Sequence, residues 1–504
     1  MSGIAGALSC TLVKHQTLSS ATMTSSLPFE ILSIIARYVA AQGGKLTPYA
    51  MVNRDWQVAF EEEIYSSLVV LSPSDVTTVV VGTGTGLEPC KKHGLTLQRL
   101  DALVTGPESW KRDRKAAIKR ILYKVAVPHW LTEEIMRDDD DDGEEYTYDN
   151  AFRRENDRAF SEGVRSLFDY LSHWTDKARP ISLGIVLQAE RVYTSDEDAE
   201  PGVVFGPETE EDELIAPYRA SFIRDCQLPI VNCISSLDLP EAWLPASMGR
   251  ENQLSPGAAL KIASACGGDA LLRVQIDGAY LIPRVDTAVS AERRATTAEN
   301  LSRLPPSVRR LDIQWCAYGS VVEVPSAPSP LPAVHLQPDA LSAALHNVSL
   351  QLKELHIDEL DVLPEFFCPT GIGLPLGQNW AHLEILKFTS LPFYTPFGHV
   401  LWYDDGFSLN NIHVQSYFDE FYTNAGLAVQ RMPKLSLLSI GFHSLEQELR
   451  FHRSEEGRRG LNVHLGGSYR FSREVLHAWK VHKAQIHRIY RTGLMASWKT
   501  WPPS

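Results

Sequence analysis

The chain has no CxxC pair. Its seven cysteines, Cys10, Cys90, Cys226, Cys233, Cys266, Cys316 and Cys368, are scattered and odd in number. That pattern excludes a disulfide framework and offers no zinc-ligand spacing, so no metal or cofactor is expected. Reduced thiols suit an intracellular protein of the cytoplasm or nucleus. No apolar run approaches the ~18 residues of a membrane span, and no membrane partner is expected. The apolar run Met1–Leu12 has no basic residue before it, which argues against a secretory leader. HExxH, GxSxG and P-loop signatures are missing, and with them the commonest motif-borne catalytic sites. Positive charge is in deficit, with 48 Lys and Arg against 62 Asp and Glu and a net charge of −14. Phosphate backbones repel such a chain unless it carries a basic patch, so nucleic acid is not an expected partner.

What is present is ordinary globular material, 44% hydrophobic and 22% charged over 504 residues. That length suggests about three domains at ~100–200 residues each. Residues 1–24 are rich in Ser and Thr, lack an apolar period and read as a disordered tail. Order begins at Leu27-Pro28-Phe29-Glu30, where Pro28 suits the first turn of a helix and Glu30 its positive end. Leu27, Ile31, Ile34, Ile35 and Tyr38 recur at helical spacing up to the stop at Gly43-Gly44. Thr47-Pro48 starts a second, short helix. A third runs from about Asp55, with Trp56, Ala59, Phe60 and Ile64 on one face. Three short helices over residues 25–70 make a marginal size for a lone core.

Residues 71–94 read as a linker and 95–504 as the body. Helices are expected near Lys115–Tyr123 and Phe152–Trp174, and solvated acidic loops at 138–145 and 195–213. The body repeats an apolar-x-x-apolar-x-apolar pattern. It stands at Ile234/Leu237/Leu239, Val308/Leu311/Ile313, Leu352/Leu355/Ile357, Leu383/Leu386/Phe388, Leu409/Ile412/Val414 and Leu435/Leu438/Ile440. The third positions are separated by 74, 44, 31, 26 and 26 residues. The later intervals approach a leucine-rich repeat period of 20–29. Alternate residues of a short strand point inward, and a single unit buries them only if its neighbours stack alongside. The expected class is therefore α+β or α/β: a small three-helix unit followed by an irregular leucine-rich-repeat-like solenoid. A non-solenoid α/β domain with buried strands is the alternative.

Three features look chemical and are not read so. Gly82-x-Gly84-x-Gly86 is followed by Glu88-Pro89, an acid and a helix breaker where a dinucleotide loop needs a helix N-terminus. His477, His482 and His487 step by five, which turns each about 140° from the last around a helix and splays them. The segment Phe471–Trp501 interleaves cations with Trp479, Trp498 and Trp501. It reads as a terminal helix closing the end of the core, with an acidic or nucleic-acid partner as the alternative.

Leu27-Pro28-Phe29-Glu30-Ile31-Leu32-x-x-Ile35, then Leu46, Val52-Asn53-Arg54-Asp55-Trp56 and Ile64-Tyr65-x-x-Leu68, resembles the F-box motif. The match covers about a tenth of the chain, with Tyr65 where a tryptophan is common. The remainder is similar to fungal F-box proteins whose C-terminal part is a degenerate leucine-rich-like domain. The stretch Glu420–Leu438, including Ala425-Gly426-Leu427-Ala428 and Met432-Pro433-Lys434-Leu435, carries that likeness.

The resemblance implies the substrate-recognition subunit of an SCF-type cullin–RING ubiquitin ligase, an adaptor with no active site of its own. Leu27, Pro28, Ile31, Ile35, Val52 and Trp56 would bind the Skp adaptor and through it a cullin. The C-terminal domain would bind a protein substrate that the sequence does not identify. The residues themselves suggest that a unit this small leaves part of its apolar set open for a partner. Docking of that set on the chain's own body is the alternative. A scaffold acting outside ubiquitin transfer is the other functional reading.

Overall fold

The computed structural model describes residues 27–74, 78–83, 86–130, 151–175, 180–192, 219–239, 253–267, 270–277, 287–314, 339–358, 360, 362–368, 379–391, 412–442, 447–453, 459–464, 471–480 and 496–497. The chain divides into two compact units, Met1–Ser66 and Ser67–Ser504. The expected tail, both acidic loops, Trp498, Trp501, His482 and His487 lie outside the described residues.

The N-terminal unit holds α1 (Phe29–Ala41), α2 (Thr47–Ala50) and α3 (Arg54–Ser66). The Pro28 carbonyl accepts from the amides of Ile31 and Leu32, so the proline sits at the helix cap with Glu30 in the first turn. Gly43 adopts φ +70°, a left-handed conformation that ends the turn after α1, and a Cβ on Gly44 would press into Val39. The Asn53 side chain accepts from the Trp56 amide at 3.0 Å and starts α3. Leu32 and Ala36 of α1, one turn apart, meet Ala59 and Phe60 of α3. Tyr49 and Trp56 stack on Phe60 with ring centroids 5.1 and 5.4 Å away. That core is thin: burying a side chain such as Leu32 or Phe60 supplies about 1.5–3 kcal/mol.

The second unit is mixed α/β around a sheet that is mostly parallel. Its strands are β1 (Ser67–Leu71), β2 (Thr78–Thr83), β3 (Gly86–Lys91), β4 (Leu95–Thr96), β5 (Arg120–Trp130), β6 (Ile181–Val192), β7 (Arg219–Ala220), β8 (Ile234–Asp238), β9 (Gln253–Leu254), β10 (Arg273–Asp277), β11 (Arg310–Gln314), β12 (Glu354–Asp358), β13 (Ile385–Leu391), β14 (Leu437–Phe442), β15 (Gln447–Arg453), β16 (Arg459–His464) and β17 (Ala496–Ser497). Among the described residues the main sheet has 15 strands, while β7 and β9 pair separately. Along β4-β1-β5-β6-β8-β10-β11-β12-β13-β14 every pairing is parallel. From β5 to β14 the strand order follows chain order with no switch point, and β15 to β17 continue it antiparallel.

Register aligns one buried row across this sheet: Leu68, Ile121, Leu183, Leu237, Val274, Leu311, Leu355, Leu386, Leu438, Phe451 and Leu461. The helices α4 (Leu97–Val104), α5 (Ser109–Ala117), α6 (Ala151–Ser172), α7 (Pro256–Ala265), α8 (Thr287–Leu301), α9 (Ala340–Ser349), α10 (Ile412–Val429) and α11 (Arg473–Ala478) punctuate the strands. The face of that row is where α6 and α10 pack. Tyr123 donates to the Gly163 carbonyl of α6 at 2.8 Å, and Phe421 of α10 lies 6.3 Å from Phe388 and 5.8 Å from Phe442.

Several expectations are corrected. The interval 71–94 is no plain linker: β2 and β3 form an antiparallel hairpin, and β2 pairs β6. The expected first-domain boundary at 70 moves to 66, because β1 pairs β4 and β5. Lys115–Tyr123 is not a helix. α5 ends at Ala117 and β5 starts at Arg120, since Ile121, Tyr123, Val125 and Val127 alternate with period two and all are buried. Ile412 and Val414, read as a strand repeat, lie in α10, whose Phe418, Phe421, Tyr422, Ala425, Ala428 and Val429 follow a helical period. Leu409 is outside the described residues. Conversely, a repeat at Leu271/Val274/Ile276 was missed; all three are buried, and β10 carries the last two. It divides the 74-residue interval into two of 37. The helix read at Phe152–Trp174 is present as α6.

Candidate protein-binding surface

Helix α1 carries two apolar stripes. Leu32 and Ala36 face the small core, while Ile31, Ile34 and Tyr38, at i, i+3 and i+7, face solvent. Such a second stripe has no role in the core it stands outside, and it keeps large side chains in water unless another surface covers them. Leu27 is 45% exposed, Ile31 42%, Val52 60%, Tyr38 65% and Met51 82%. Phe29, Ile34, Tyr49 and Val58 are exposed as well.

Of the residues singled out from the sequence, Leu27, Pro28, Ile31 and Val52 lie on the surface. Ile35 and Trp56 are half-buried against Leu32, Ala36, Ala59 and Phe60. The sequence reading missed Phe29, Met51 and Val58 as surface residues, and grouped the exposed Ile34 and Tyr38 with the half-buried Ile35 in one helical set. The signal was present in α1: Leu32 and Ala36 form their own i, i+4 pair, so one helix holds more apolar positions than one face can bury.

A second surface is the opposite side of the main sheet. There register aligns Gly184, Asp238, Gln275, Asp312, His356, Lys387, Ser439 and Arg450. Beside that row run Ser182, Ser236, Arg273, Arg310 and Glu354. Asp312 is fully buried at its centre, held by Arg310 at 2.8 Å, Arg273 at 3.2 Å and His356 at 2.8 Å. Burial pushes this carboxyl up, but hydrogen bonds from His356 and Arg310 and their positive charge outweigh it, so its pKa falls to about 2. Arg310 also reaches Glu354 at 3.3 Å. Ser182 donates to Asp238 at 3.1 Å and Gln275 to Gln314 at 3.0 Å. This polar network is wired across strands, so it holds its donors and acceptors in fixed positions rather than on flexible stems.

No metal-binding cluster of His, Cys, Asp or Glu is found among the described residues, and no described helix is long and apolar enough to cross a membrane. At the sequence's Gly82–Gly86, a strand rather than a helix begins at Gly86. Compared with known proteins, the chain matches no family model, no curated protein and no solved structure.

Proposed function

We propose that the chain is the substrate-recognition subunit of an SCF-type cullin–RING ubiquitin ligase, with residues 27–66 acting as an F-box that docks on the Skp adaptor. The outward apolar stripe of α1, together with the exposed Leu27, Met51 and Val52, is the observation that carries this reading. A three-helix unit with so thin a core gains little by exposing those side chains unless a partner buries them. Leu27 and Pro28 would anchor the start of α1 on the adaptor and Ile31 its first turn. Ile35 and Trp56 would brace the helices from within, and Val52 would close the contact from the turn before α3.

The second unit fits a leucine-rich-like solenoid carrying the substrate site. Its support is the chain-order progression of parallel strands and the buried row that each contributes to. The repeats are longer than usual because whole helices stand between strands. Catalysis in such an assembly comes from holding a substrate lysine near a charged ubiquitin carrier, which raises effective concentration.

The test is co-purification of Skp with the intact chain and with a Leu27→Ala, Pro28→Ala variant. Truncating central anchors commonly costs about 2 kcal/mol or more, so Skp recovery should drop at least tenfold while the circular dichroism of the chain is unchanged. Unaltered recovery would remove the assignment. Skp arriving without a cullin would instead identify a scaffold that acts outside ubiquitin transfer.

A further inference from the structure

The chain is acidic overall, yet residues 105–120 are not. Lys111, Arg112, Arg114, Lys115, Lys119 and Arg120 stand there against Glu108 and Asp113, a local charge of +4 within a total of −14. Helix α5 gathers four of these cations on nine residues. Its first turn presents Trp110, 44% exposed, with the Arg114 guanidinium 4.4 Å and the Lys111 ammonium 5.3 Å from the ring centroid. Lys115 lies 5.3 Å from the centroid of Trp174, which is buried. Cations held on aromatic faces lose less freedom when they meet an anion than cations on free stems. Arg112 on the helix and Lys119 just past its end are exposed as well.

We infer that α5 is a docking surface for a short Asp- and Glu-rich segment of another protein, with Trp110 covering an apolar side chain between the acids. Charge complementarity selects an anion, and the size of the patch selects a short one. Nine helical residues span about 13 Å, enough for a few carboxylates. A nucleic-acid strand or a membrane surface extends far past that length and meets a chain whose remaining charge is strongly negative. This contact is separate from the apolar surface of α1, and it stands or falls independently of Skp binding.

The experiment is fluorescence anisotropy of the full chain with a labelled twelve-residue peptide of alternating acidic and leucine-containing steps. Three comparison probes are a scrambled-charge basic peptide, a twelve-nucleotide single-stranded RNA and phosphatidylserine vesicles. The acidic peptide should bind, and raising salt from 50 to 300 mM should weaken it at least fivefold. Arg112→Glu with Lys119→Glu changes only exposed positions and should lower affinity at least tenfold. Trp110→Ala should lower it about threefold or more without altering its salt dependence. Absent peptide binding at 50 mM salt, unchanged affinity in the charge-reversed chain, or tighter binding of RNA or vesicles would each overturn the inference.

Discussion

Asp312 is the residue where charge and burial meet most directly. A carboxylate removed from water is costly unless its partners are fixed, and here Arg310 comes from its own strand, β11, and Arg273 and His356 from the neighbouring strands β10 and β12. Because its pKa in the fold is depressed to about 2, the stability it contributes is present above the ordinary aspartate value of about 3.9 and is lost as pH falls toward 2. Asp312→Asn should therefore cost about 3 kcal/mol at pH 7, the usual scale for breaking a buried pair. The gap between the variant and the native chain should narrow steadily below pH 4. Urea titrations at pH 7, 4 and 2.5 measure both quantities, and an equal gap at all three pH values would show that the shifted carboxyl does not govern acid stability. The sequence displayed Asp312 as one polar letter between Leu311 and Ile313. Arg310, two residues earlier on the same strand face, is visible in the letters, but Arg273 and His356 come from other segments, which no local period announces.

At the scale of elements, α10 and the chain end show how helices close over the sheet. The Trp479 indole donates to the Tyr422 carbonyl at 2.8 Å and is almost fully buried. It lies so close to α10 that a Cβ on Gly426 would stand 2.8 Å from the ring and 3.1 Å from the Ala478 carbonyl carbon. Neither atom belongs to a flexible chain end. Gly426→Ala should lower stability by about 1–3 kcal/mol, because the tryptophan and the Ala478 backbone must move, even though alanine is the better helix former. Near-UV circular dichroism and melting temperature report the change; a raised melting temperature would show that the contact yields freely. Of the segment Phe471–Trp501 read as a terminal helix, only Arg473–Ala478 is helical among the described residues, with Trp479 buried just after it; Ala496–Ser497 is the strand β17, and Trp498 and Trp501 stand outside the described residues. The period-two run at 121–127 and the period-3.6 run at 418–429 were both readable from the letters. The errors lie at the edges of these runs: Lys115–Tyr123 joins the end of α5 to the start of β5, and Ile412 and Val414 fit the repeat spacing by chance at the start of α10.

For the whole molecule, the decisive boundary lies between Ser66 and Ser67. β1 belongs to the sheet of the second unit, with Leu68 and Val70 buried and paired to Ile121 and Tyr123 of β5. A chain beginning at residue 67 should melt within about 2 °C of the second-unit transition of the full chain, whereas one beginning at residue 72 should fall by several degrees or aggregate. Losing two buried side chains and a strand from within a sheet costs several kcal/mol. Differential scanning calorimetry of the two truncations checks this, and equal stability would mean that β1 is dispensable. The proposed adaptor contact is therefore best removed by deleting residues 27–66, so that lost Skp recovery is not confused with a damaged sheet.

The sequence by itself determined the three-helix start, the recurrent strand pattern and the net acidity, because those are set by local spacing and by simple sums of charge. It also contained the missed repeat at Leu271/Val274/Ile276, whose even 37-residue spacing needed no structure to be seen. Only tertiary structure decided which of the apolar residues of α1 face inward and which face water, because a helix face acquires its meaning from what packs on it. The same holds for the burial of Asp312 and for the place of β1, since partners distant along the chain meet only when the strands are laid side by side.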